Sequence, residues 1–306
     1  MQTDLPGTFF SAPPGFGWLV ILYIFIGGIA GGALLLAGLL RMMGTADDRP
    51  YVRIASYIAF AGAVISGIVL IIDLAAPLRF WHMVIQNHTG RPMLKWWSPM
   101  SDGVWILLLF GFFSLVASLE ALAMDDHPRF RALRFLARPP LVTFGAIGGI
   151  VFGLALAGYT GVLLALTNRP LWADSSWLGL LFLLSGVSTS MAALLLFAHW
   201  RRVDSPSGND WLARFDTVAL VLELLAMICF LISLGGAARA LLNAWGVVLV
   251  LGVIVAGILV PLVLQRRASH GVVLPAALVL AGGFMLRMVI VLSSEQIHVS
   301  GVQVLR

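Results

Sequence analysis

The stretch "YIFIGGIAGGALLLAGLLR", residues 23–41, decides the fold. It is an apolar run of helix length with Gly27, Gly28, Gly31 and Gly32 inside it and Tyr23 at its front edge. About 20 such residues cross a ~30 Å hydrocarbon core as a helix, because only internal hydrogen bonds satisfy the backbone there. Similar runs recur along the chain, and the pattern predicts eight spans near 18–40, 54–72, 103–123, 141–166, 177–198, 215–237, 241–264 and 273–292. Residues 1–306 thus form a single all-α integral membrane unit. A barrel would need alternating strands, and these leucine-rich runs do not alternate.

Composition agrees, with 60% apolar and 11% charged residues, against roughly 45–50% and 25% in a soluble domain. Residues 1–17 hold no Lys or Arg, and the first span exceeds a signal-peptide core, so it is expected to remain in the mature protein. Arg41, Arg49, Arg53, Arg129, Arg131, Arg134, Arg138, Arg201, Arg202, Arg214, Arg266 and Arg267 fall on one side of the spans. Arg79, Arg91, Lys95, Arg169, Arg239 and Arg306 fall on the other. The richer side is read as cytoplasmic, which places both termini outside. The same bias accounts for most of the +5 net charge without a nucleic-acid partner.

Several chemistries are excluded by residue type. A haem-carrying anchor needs paired imidazoles deep in its helices, whereas His82, His88, His127, His199, His270 and His298 fall in loops or at span ends. Iron–sulfur clusters need several thiolates, and Cys229 is the single cysteine. A retinal protein needs a buried lysine, and Lys95 lies in the long connection from 73 to 102.

Polar residues within the spans carry the functional signal, because they are expensive to place there. Asp73 ends the second span, Tyr159 and Thr160 lie in the outer third of the fourth, Glu223 sits in the inner half of the sixth, and Arg287 interrupts the eighth. Ser185, Ser188, Thr189 and Ser190 in the fifth read as small residues at helix contacts. The predicted topology brings Tyr23, Asp73 and Tyr159 to one level near the outer face. Gly28 and Gly31 let either another helix or a flat ring approach the first-span backbone.

The series "FIGGIAGGALLL", "DLAAPLRFWHM", "WWSPMSDGVWILLLFG", "AGYTGVLLALTNRPLW", "LLFLLSGVSTSMAALLL", "LELL", "AWGVVLVLGVIVAGILVPLVL" and "GGFMLRMVIVLSSEQ" resembles, in order, the NrfD family, the membrane subunits of polysulfide-reductase-like complexes. The resemblance implies eight helices in two four-helix bundles, with no haem or iron–sulfur cluster in this subunit. It further implies electron exchange between a quinone, menaquinone or ubiquinone, and a ferredoxin-like iron–sulfur subunit. That partner serves a molybdenum or tungsten bis-pterin catalytic subunit on the outer face of a prokaryotic inner membrane. By position Tyr159 corresponds to the family tyrosine at the quinone head, and Tyr23 falls where the best-known polysulfide reductase has a histidine. A phenol can hydrogen-bond a quinone oxygen but does not accept a proton at neutral pH as imidazole does. In this reading Gly28 and Gly31 bare the backbone beneath the ring. Asp73 is expected to exchange protons near the head, and Arg287 is placed to pair with either Asp73 or Glu223. Protons are exchanged either with the outer side, without charge movement, or along an inner path of Glu223, Arg287 and Glu120, with it.

Eight of the ten tryptophans, Trp18, Trp81, Trp96, Trp97, Trp105, Trp172, Trp177 and Trp245, are assigned to the outer side. With the connection from 73 to 102 they read as a partner-docking surface that roofs the quinone pocket, or as a helix resting in the headgroups. Two other classes use the same helices. A secondary transporter would show matching broken helices in two halves, and Pro261 in the seventh span has no proline partner inside the third. A structural anchor would need no quinone chemistry.

Overall fold

The computed structural model describes residues 16–74, 76–124, 128–167, 169, 171–203, 206–265 and 271–304. His127, Arg266, Arg267, His270 and Arg306 lie outside the described residues. Eight helices are long and apolar enough to cross a membrane: α1 (Trp18–Met43), α2 (Arg49–Asp73), α3 (Pro99–Ala123), α4 (Pro139–Ala165), α5 (Leu178–Trp200), α6 (Pro206–Ser233), α7 (Ala244–Gln265) and α8 (Val273–Val304).

Local chemistry sets many boundaries. Pro50, Pro99 and Pro139 open α2, α3 and α4, where a missing N–H removes no intrahelical bond. Asn243 caps α7 by accepting from the Trp245 amide at 2.9 Å. Helix α6 stops at Ser233 rather than 237, because Gly235 takes a φ of +51° and the backbone turns through a 3₁₀ segment, Gly235–Leu241. Helix α7 widens into π-type turns over Val248–Leu259, just before Pro261.

Helices α1 and α5 are the most buried. Helix α1 packs on α2, α4 and α5, while α3 closes against α2 and α4. Helix α5 continues to α6 and α8, and α7 packs along α8. One apolar core joins the start of α1 to α5, α6, α7 and α8, through Ile24, Phe182, Phe230, Val253 and Leu286. A second joins the middle of α1 to α2, α3 and α4, through Leu34, Ala59, Phe110 and Leu156. Large apolar residues such as Ile68, Phe112, Val151 and Leu251 are exposed, as a hydrocarbon solvent permits.

The connection before α3 is ordered by its own bonds. A small hairpin forms where the Met93 amide donates to the Val84 carbonyl at 2.7 Å and the Gln86 amide to the Arg91 carbonyl at 2.9 Å. Its end is tied to α3, since Trp105 Nε1 and Ser101 Oγ both donate to the Met93 carbonyl, at 3.1 and 3.2 Å.

Candidate functional site: a cleft at α3 and α4 and a buried polar network

The Tyr159 ring lies across the first turn of α3, over Gly103, where any Cβ would collide with it. Its hydroxyl donates to the Pro99 carbonyl at 2.7 Å. That bond leaves the phenol oxygen with lone pairs able to accept. Tyr159 lines a cleft of ≈ 570 Å³ with Trp96, Trp97, Pro99 and Asp102 on one side and Leu154, Ala155 and Gly158 on the other. Trp96 and Trp97 meet edge to face, ring centroids 5.7 Å apart. Tyr23, half-buried on α1, stands within electrostatic reach of Asp73 and Tyr159. Asp73 is exposed at the last residue of α2. Sequence reasoning missed Asp102, which lines the cleft within electrostatic reach of Tyr159. Its signal was a carboxylate in the opening turn of a span, directly after "WWSPMS".

The other predicted charges form a separate, closed group. Arg287 is fully buried on α8, with Nη1 donating to the Gly283 carbonyl at 2.7 Å and to Ser185 Oγ at 3.2 Å. The rings of Phe25 and Phe182 flank its guanidinium at 5.5 and 5.4 Å. Its Nε and Nη2 are buried without a hydrogen-bond partner. Glu223 Oε2 accepts from Ser188 Oγ at 2.5 Å. Arg287 and Glu223 therefore interact electrostatically across the α5 serines rather than in direct contact. Two turns earlier on α6, buried Asp216 accepts from Gln265 Nε2 at 2.5 Å. Ser185 and Ser188 are thus links in a charged network, a correction to their reading as packing residues. Thr189 and Ser190 do return their hydroxyls to α5 carbonyls, at 2.6 and 2.8 Å.

Two further expectations are corrected. Asp73 makes no ion pair with Arg287, because one is exposed at the end of α2 and the other enclosed among α1, α5 and α8. The backbone at Gly28 and Gly31 is not open to a ring. A Cβ on Gly28 would lie 2.7 Å from Arg287 Nη2, and one on Gly31 would lie 2.8 Å from the Gly153 carbonyl oxygen and 2.9 Å from the Ala157 amide. The glycines of α1 bring three helices and a guanidinium against it.

Glu120 pairs with Arg41 at 2.7 Å, both side chains nearly buried, at the end of the molecule away from the cleft. Trp172 is a core residue, fully buried with Nε1 donating to the Ile290 carbonyl at 2.7 Å, whereas Trp96 and Trp97 are 77% and 66% exposed.

Comparison with known proteins matches the sequence to one group. The sequence is similar to the C subunit of the polysulfide reductase of Wolinella succinogenes, 29% identical over 91% of this protein and 93% of that one. It is similar to an NrfD homolog of Haemophilus influenzae, 28% identical over 86% and 87%, and to protein NrfD of Escherichia coli, 27% identical over 87% and 88%. The profile of the polysulphide reductase family NrfD matches residues 8–299, nearly the whole eight-helix body, and the chain belongs to that family.

Proposed function

We propose that this protein is the membrane subunit of an oxidoreductase complex and that its substrate is a quinone, bound at the Tyr159 cleft. The observation that carries the reading is the cleft itself: an aromatic wall of Trp96 and Trp97, a phenol, and the Asp102 carboxylate converge on one space. Such a mixture suits a flat apolar ring with polar oxygens at its edge. With its proton given to Pro99, Tyr159 offers an acceptor to a quinol O–H. Rotation of the same hydroxyl would let it donate to a quinone oxygen.

Quinol oxidation releases two electrons and two protons. The electrons pass to an iron–sulfur partner, itself linked to a molybdenum or tungsten catalytic subunit, docked over the exposed aromatic connection before α3. The name of the Wolinella relative, one lettered subunit of a reductase, supports a multi-subunit setting. Asp102 and Asp73 receive protons at their carboxylate oxygens and return them to the adjoining aqueous phase, in a prokaryotic inner membrane. Protons exchanged at the cleft leave the cycle electroneutral, and charge movement would require Glu223 and Asp216, enclosed on α6, to exchange protons with the inner side.

The test is quinol oxidation by the purified complex with a soluble quinol analogue, compared with Trp97→Ala and Tyr159→Phe. The reading expects both variants to assemble normally and to lower turnover. Wild-type turnover in both would remove quinone from this cleft, and a complex inert toward every quinone analogue would favour the anchor.

A further inference from the structure

The proposed quinone chemistry leaves the opposite end of the molecule unused. There a cavity of ≈ 930 Å³ opens among the ends of α1, α2, α3 and α5. Arg41, Arg49, Arg53 and Arg201 line it, and no carboxylate does among the described residues. Glu120 pairs with Arg41. Arg49 and Arg201 are exposed at its mouth, and the Arg53 guanidinium lies 5.9 Å from the centre of the Tyr57 ring. The Tyr57 hydroxyl is buried and has no hydrogen-bond partner, although a buried hydroxyl ordinarily has one. Below this mouth the wall is apolar, made by Ile54, Ile58, Val142 and Phe197.

We infer that this cavity binds an anionic phospholipid, its phosphate between Arg49 and Arg201 and an acyl tail along the Ile54, Ile58 and Phe197 wall. A cationic mouth above an apolar wall, at the level where membrane spans end, matches a molecule with both parts. A soluble phosphate would have no use for the wall. Guanidinium groups bind phosphate oxygens in pairs, and the Tyr57 hydroxyl supplies a further donor. With Arg49 and Arg201 exposed at the mouth and no carboxylate among the described lining residues, a lipid of net negative charge is preferred over a zwitterionic one.

The experiment uses the full-length protein in detergent, stripped of lipid. Native mass spectrometry and melting temperature are read after adding phosphatidylglycerol, phosphatidylcholine with the same acyl tails, or inorganic phosphate alone. Phosphatidylglycerol should be retained and should raise the melting temperature, and phosphatidylcholine should do neither. Arg49→Gln with Arg201→Gln, both at exposed positions, should weaken retention about thirtyfold, two cations at the usual surface strength. Arg49→Lys with Arg201→Lys should restore most of it, which separates lost charge from lost folding. Equal retention of both lipids, or undiminished retention in the glutamine variant, would overturn the inference. So would reproduction of the melting shift by inorganic phosphate alone, which would make the site one for a soluble anion.

Discussion

The α3–α4 cleft and the Arg287 network hold the same kinds of groups in opposite states. In the cleft, Tyr159 has one bond to the backbone and an oxygen still able to accept, Asp102 faces open space, and Trp96 and Trp97 are exposed. In the network, Arg287 is sealed between Phe25 and Phe182, Glu223 is held by Ser188, and Gly28 leaves the space its guanidinium fills. Polarity inside a membrane therefore does not by itself mark a binding site. Unused capacity that a ligand can reach does, as at the Tyr159 oxygen in the cleft and not at the enclosed Arg287 Nε and Nη2. Substitutions in the cleft should change turnover, and substitutions in the network should change assembly first.

The largest effect is expected at Gly31. Its α carbon faces the Gly153 carbonyl of α4 at a distance that admits no side chain, so Gly31→Leu must push α1 off α4, and backbone on both sides leaves little room to yield. Assembled, monodisperse protein should be nearly absent on gel filtration. A Gly31→Leu protein recovered at wild-type yield would break the comparison. Arg287→Met comes next: it leaves Glu223 buried without its compensating charge, a loss of about 3–5 kcal/mol. Adding Glu223→Gln should recover part of the thermal stability, because it removes the stranded charge. If the double variant is no more stable than Arg287→Met alone, the two groups do not interact across the serines.

The eight spans were legible because a ~30 Å apolar core demands long apolar helices whatever they pack against. The extra turns at the start of α2 and α6 were harder, since Arg49, Arg53 and Arg214 interrupt the apolar signal while remaining helical. The glycines of α1 were visible as a bare stripe, but a stripe does not say what covers it, and here it is α4, α5 and Arg287. Ser185 and Ser188 could not be told from Thr189 and Ser190, because the four share one hydroxylated run and differ only in which face meets Glu223 and Arg287. Asp102 was overlooked because a carboxylate in a helix's first turn usually answers the helix dipole. Only the fold lays Tyr159 over Gly103 and so makes Asp102 a wall of the cleft.

Within the cleft the effects should be smaller and confined to kinetics. Asp102→Asn keeps size and polarity but ends proton exchange at the cleft wall, and quinol turnover should fall roughly tenfold, less than the roughly hundredfold lower end of general acid–base contributions because nearby water takes over part of the exchange. Tyr159→Phe removes one hydrogen-bonding oxygen and should weaken quinol-analogue binding about fivefold, near 1 kcal/mol. The Pro99 carbonyl loses that hydroxyl as well, but it lies at the start of α3, where its intrahelical bond remains available, so melting temperature should barely move. A large drop in melting temperature with unchanged binding would assign Tyr159 to the structural side of the comparison.

The smallest effect is expected at Asp73, and it sharpens the comparison from the other direction. The predicted topology sets Asp73 at one level with Tyr23 and Tyr159, which is why its position reads as functional in the sequence, and in the structure it stands within electrostatic reach of Tyr23. Yet its side chain is exposed at the last residue of α2 and makes no ion pair with Arg287. An exposed carboxylate at a span end exchanges protons beside water that can do the same work, so its removal forfeits little. Asp73→Asn should change quinol turnover by no more than about twofold, near 0.4 kcal/mol, while Asp102→Asn in the same preparation shows the larger loss. The measurement is steady-state quinol oxidation of the two variants side by side, each normalised to assembled complex. A loss at Asp73 equal to or greater than that at Asp102 would mean that proton exit runs through the end of α2, and that exposure in the isolated subunit understates how a docked partner would enclose this carboxylate.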